Sequence, residues 1–335
     1  MKDLLAPDDT RDALRKYGGL LLGLGVFMLV LRRGEEGGDF VNFLLYTVMA
    51  VYLYSAIFSD RYTDGVRSWA AVHSVLGLIF VPFALSQLVD LIGDPGDSGK
   101  ALNVVWIFGV TAALAFFAGV VKGVRFHILA GAIFTIVAWS ALWDKLLGDE
   151  GIAGNFGTYR GLLGILAILL LAGALYVWRR GDDTRVAGTG VDDGGDQGLW
   201  KASELVTGAG IAAVIACSLG ISSVLQFAGP LGFTDVAVVQ TSQVWDVLLL
   251  VISLGLVGIG STIGTRGPAY VGAIGLLLFL FIVGLDLNED SPQPEKVGIW
   301  PIILLVLGGL FIALSSVKEA SLGDQPKKFV NSLKK

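Results

Sequence analysis

The sequence predicts an all-α protein: a polytopic transmembrane helical bundle of about ten spans, with N-terminus and C-terminus both cytoplasmic. Three observations predict it. Only 16% of the 335 residues are charged and 54% are hydrophobic, with a mean hydropathy of +0.72; a soluble domain carries roughly 25% charged residues. The apolar residues fall in runs of about 20, the length that crosses the hydrocarbon core as a helix. Glycine, at 46 residues, is about twice as frequent as its usual share of roughly 7%, which suits helices whose backbones approach closely in lipid.

The spans follow in order. The first, 17–31, is short, but the basic stretch 11–16 can extend it amphipathically. Arg32 and Arg33 follow it with no small-residue cleavage site, so it reads as a retained helix rather than a signal peptide. Five more runs cover 40–58, 69–92, 101–121, 124–147 and 159–178. Four others cover 205–227, 244–263, 268–285 and 299–317. Between the sixth and seventh lies RRGDDTRVAGTGVDDGGDQG, which has almost no large apolar residue and reads as a flexible linker. The expected organisation is a six-helix transmembrane part at 1–178, a Gly/Asp-rich cytoplasmic linker at 179–200, a four-helix part at 201–317 and a basic cytoplasmic tail at 318–335. The unequal split argues against a simple duplication.

Basic residues orient the bundle. With the N-terminus inside, the outer loops hold only Arg32, Arg33, Lys100, Lys145, Arg160 and Lys296 of the 24 Lys and Arg. The rest fall inside, as positive-inside threading requires. The net charge of -5 sits in connectors such as RRGEEGGD, so nothing points to nucleic acid as a partner. The expected partners are the lipid bilayer and other membrane subunits, and the expected location is the cell membrane. The single cysteine, Cys217, lies in an apolar run and excludes a disulfide framework.

Two sets of residues are candidates for function. His73 and His127 are the only histidines. Each follows the inner start of its span by three or four residues, roughly 5–6 Å at 1.5 Å per residue, so the two share a depth. Arg67 and Arg125 lie close by in sequence. Two facing imidazoles can ligate a b-type haem iron, and arginines can pair with its propionates. That makes a haem b electron-transfer subunit the alternative reading, with these four residues as the cofactor site. The ordinary reading is histidines at a membrane interface that bind no cofactor. Two imidazoles are too few for zinc, and no metal site is expected.

The second set is polar. Asp90, Asp144, Asp246 and Asp286 lie near outer helix ends, where solvation is easy; Asp246 is the deepest, and an intramembrane carboxylate is a functional candidate. The segment CSLGISSVLQFAGPLG interrupts the seventh span with Ser218, Ser222, Ser223, Gln226, Gly220 and Pro230. Ser218, Ser222, Gln226 and Asp246 are the candidate substrate or ion path of a permease; helix–helix contact is the competing role for the serines. Confident midplane charges are missing. Nucleophile–base pairs, zinc-protease helices and phosphate loops are missing too. GAGIAA (208–213) matches a dinucleotide fingerprint in letters only, since no strand precedes it. The first reading is therefore a non-enzymatic integral membrane protein without a catalytic site or cofactor, either permease-like or a structural subunit of a membrane complex.

Overall fold

The structure is a computed structural model that describes residues 8–33, 38–59, 68–148, 151, 155–183, 194–218 and 243–286. Every long element among them is an α-helix: α1 (Asp8–Arg33), α2 (Asp39–Ser59), α3 (Ser68–Ile92), α4 (Ala101–Lys122), α5 (Arg125–Leu146), α6 (Phe156–Asp183), α7 (Gly194–Ser218), α8 (Gln243–Ile263) and α9 (Arg266–Asp286). Seven of them, α2 to α8, are long and apolar enough to cross a membrane. In α9 the apolar part among the described residues is the shorter Arg266–Leu280. Helix α1 carries charges in its first turns and at its last two residues, Arg32 and Arg33, and its apolar part starts at Tyr17. The expected tenth span at 299–317 and the tail at 318–335 lie outside the described residues.

Tight connections hold consecutive helices antiparallel. Gly123, at φ +70°, ends α4 in the left-handed conformation, and α5 starts two residues later. A side chain is strained there and glycine is not. Gly264, at φ +73°, plays the same part between α8 and α9. The α3–α4 connection is longer. Asp90 at the end of α3 accepts hydrogen bonds from the Ser98 amide and hydroxyl, both at 2.8 Å. This fastens a short 3₁₀ turn, Asp97–Gly99, back onto the helix.

In that turn Asp97 and Lys100 form a 2.6 Å ion pair. The Lys100 hydrogen bond holds the Asp97 carboxyl below its ordinary 3.8, and Asp97 holds Lys100 above its ordinary 10.5. The stabilisation from Asp97 is fully present above pH 3.8 and is lost as pH falls through the lowered value. That from Lys100 is present below pH 10.5 and is lost as pH rises through the raised value. Lys100 is exposed and Asp97 is partly exposed in a surface turn, so the effect is small and screened by salt. Asp97→Asn should lower stability slightly at pH 7 and low salt and leave it unchanged in acid below the lowered Asp97 value, which flattens the acid limb of a thermal-unfolding profile.

The chain divides into two units, Met1–Ala216 and Cys217–Lys335. The sequence pattern puts the division at the linker instead, with the seventh span beside those that follow it. The structure differs because α7 packs into the first unit. Its span is 56% buried, against 28% for α6, and a Cβ on Gly208 would lie 2.4 Å from the Ala132 Cβ of α5. The helices also reach into the range expected for the linker, 179–200. Helix α6 runs on to Asp183, α7 begins at Gly194, and residues 184–193 are outside the described set.

Within the first unit α2–α3 and α4–α5 are the closest pairs. Gly77 of α3 lies against the backbone of Leu53 and Tyr54, and Gly119 and Gly131 admit Ile128 and Phe116. Tyr46, Met49, Leu53 and Phe80 form one buried cluster, joined by Val30 of α1. Leu78, Ala115 and Ala130 tie α3, α4 and α5 together. Outward, the helices expose large apolar side chains such as Val110, Phe117, Ile168, Leu169 and Leu171. In water so much exposed apolar surface would drive aggregation; in lipid it is the expected surface. In the second unit, Gly260 meets Ala269, and Gly272 meets Ser253 and Val257, so α8 and α9 lie in backbone contact.

Candidate functional site

The two histidines serve different neighbours. His73 Nε2 lies 2.8 Å from the Arg15 carbonyl of α1. Its ring fills the space above Gly19, whose Cβ would stand 2.0 Å from that nitrogen, and Trp69 meets it edge-on at 5.4 Å. His73 thus joins α3 to α1. Iron ligation through Nε2 would require this hydrogen bond to break.

His127 is completely buried. Its ring faces Tyr54 of α2 at 6.3 Å, and Tyr54 in turn donates to the Leu114 carbonyl of α4 at 2.7 Å. The Ser74 main chain of α3 lies close to the imidazole, yet neither ring nitrogen makes a hydrogen bond of normal geometry. His127 is therefore a polar group held in an apolar junction of four helices, where an unmade hydrogen bond costs free energy. Arg125 turns elsewhere: it is exposed, and its guanidinium lies 5.5 Å from the Trp200 ring of α7. Arg67 is outside the described residues. No described contact places Arg125 beside an imidazole.

Of the polar set, Ser222 and Gln226 also fall outside the described residues. Ser218 ends α7 and is half-buried. Asp246 sits in the first turn of α8 and is only 7% exposed. Two threonines within the spans bond to their own helices. Thr111 donates to the Ile107 carbonyl and Thr135 to that of Gly131, at 2.8 and 2.7 Å. These are intrahelical bonds that leave no donor for a ligand. Gly208, in the dinucleotide-like letters, is a helix-packing glycine against Ala132. Among the described residues no group of three or more His, Cys, Asp and Glu is placed to hold a metal ion.

Two features escape a reading of the sequence. The first joins the end of α5 to the start of α6. Tyr159 donates to the Ser140 hydroxyl, Trp139 Nε1 to the Leu162 carbonyl at 3.1 Å, and Arg160 is buried at 5% exposure. The second is Trp200, whose ring has the Arg125 guanidinium and the Lys201 ammonium each 5.5 Å from its centroid. The sequence hides it because Trp200 ends a glycine-rich segment that reads as linker.

These helices and contacts define a helical bundle of the membrane-spanning kind. No protein-family model, curated protein or solved structure matches the chain.

Proposed function

We propose that this is a non-enzymatic multi-pass protein of the cell membrane, with both termini in the cytoplasm, that serves as a structural subunit of a membrane complex. The support is packing. The helices of the first unit close on one another at the level of backbone, as at Gly77, Gly119, Gly131 and Gly208. A crevice between α3 and α5, of about 110 Å³, is lined by apolar residues that include Val75, Leu78, Phe126, Ala130 and Phe134. Ligand sites are typically roughly 300–1,000 Å³ with a few convergent polar groups. The orientation rests on the Lys and Arg bias across the connectors.

A permease is the second reading, and the burial of Asp246 in a span-length helix favours it. One experiment separates the two. In a Cys217→Ser background, single cysteines are placed at Thr111, Thr135 and Asp246 and treated with a charged maleimide from either side of sealed vesicles. The structural reading expects all three to stay unlabelled. Labelling at Thr111 or Thr135 overturns the solid bundle, and labelling at Asp246 alone supports a water-filled path in the second unit.

A further inference from the structure

The described cations of the first unit are unevenly placed. The start of α1, the end of α2, the start of α3, the α4–α5 turn, the end of α6 and the start of α7 share one edge, because successive helices run antiparallel. Contacts across the edge confirm it. Arg15 of α1 stacks on Trp69 of α3 at 5.2 Å, and Lys122 of α4 on Phe58 of α2 at 5.8 Å. Arg125 of α5 lies over Trp200 of α7, and Lys201 of α7 reaches the Val120 carbonyl of α4 at 3.5 Å. Arg180 stacks on Tyr176 at 5.8 Å. All of these cation–ring contacts lie on this edge.

Glu204 lies within electrostatic reach of Arg125, and the helix ends at this edge also carry Asp8, Asp9, Asp12, Asp182, Asp183 and Asp196; the cations with described side chains there are Arg15, Lys16, Lys122, Arg125, Arg179, Arg180 and Lys201. The opposite edge holds Asp90, Asp94, Asp97 and Asp144 with Lys100, Lys145 and Arg160. Aromatic rings at a membrane edge settle at headgroup depth. A cation stacked on such a ring keeps its charge there, with its remaining donors open to an acceptor.

From this placement we propose that the edge around Trp200, Arg125 and Lys201 binds the headgroup of an anionic glycerophospholipid in the leaflet it faces. Glycine at position 123 brings the α4–α5 turn against the indole, its Cβ position 4.0 Å from Trp200 Cζ2. Two helix starts, those of α5 and α7, therefore present a cation each at one buried ring. The phosphodiester takes hydrogen bonds from the guanidinium and the ammonium, while the indole fixes the depth of both. The acyl chains run outward along the exposed apolar faces.

The test uses the full chain in phosphatidylcholine vesicles, with spin-labelled phosphatidylglycerol and phosphatidylcholine as probes. The fraction of each label that the protein immobilises is read by electron paramagnetic resonance. Phosphatidylglycerol should be preferred, and Arg125→Gln or Lys201→Gln should each cut the preference about fivefold, the worth of one basic residue near a membrane surface. Arg125→Lys should keep most of it. The pair Lys100→Gln with Lys145→Gln, on the opposite edge, should leave it unchanged. Equal immobilisation of both lipids by the unaltered protein overturns the proposal, as does equal damage from the opposite-edge pair. If the glutamine variants fail to fold, salt decides. At about 1 M NaCl the screening length is about 3 Å, and a preference that persists undiminished is not a headgroup contact of this kind.

Discussion

Gly77→Val is expected to destabilise the protein by about 3 kcal/mol or more, the upper part of the range for overpacking a close-fitted interior. A Cβ at this position would lie 2.3 Å from the Tyr54 amide nitrogen, 2.8 Å from its Cα and 2.9 Å from the Leu53 carbonyl carbon. All three are backbone atoms and cannot rotate out of the way. The whole α2–α3 pair must separate, and its buried cluster of Tyr46, Leu53 and Phe80 opens with it. Gly109, in α4, has nothing within 4 Å of its Cβ position. Gly109→Ala should therefore be neutral or slightly stabilising, since alanine is favoured over glycine in a helix by about 0.8–1 kcal/mol. Thermal unfolding in detergent, followed by circular dichroism and size exclusion, compares the two. An unaltered midpoint for Gly77→Val would show that α2 and α3 are not in backbone contact.

Replacing His127 by leucine should act in the opposite direction. The imidazole is fully buried and neither nitrogen makes a hydrogen bond of normal geometry. Leucine is of similar size and removes both polar atoms, so His127→Leu is expected to stabilise by about 1–3 kcal/mol, the cost of a buried unmade hydrogen bond. His73→Leu should destabilise by about 1 kcal/mol, because it loses the bond to the Arg15 carbonyl. The same unfolding assay reads both. A loss of stability in His127→Leu would mean that the ring holds a partner essential to the fold. A gain in stability coupled to lost function would mark His127 as a polar group kept for use rather than for folding.

The contrast between these histidines shows where the sequence is readable. The helices are legible because each apolar run is bounded by charge or glycine: no charged residue lies between Lys100 and Lys122, and α4 occupies that interval. The turn at Gly123 is legible as a break for the same reason. The partner of His73 is not, since it is a main-chain carbonyl, and any residue at position 15 would supply one. The helical period places a side chain on a face but does not say which helix stands opposite. The start of α7 was hidden by composition: GGDQG reads as linker, yet the helix begins there because Trp200 and Gly208 are gripped by α5. Intrinsic preference is a weak guide once such packing is available. The grouping of α7 with α1 to α6 follows from the same contacts, which lie far apart along the chain.

The two-residue joint at Gly123 and Val124 also bears on how the protein is made. A connection that short cannot leave one helix waiting in the aqueous exit channel while the other is already surrounded by lipid. During biosynthesis, α4 and α5 must enter the bilayer together as a preformed hairpin, so their sequential translation does not become sequential insertion.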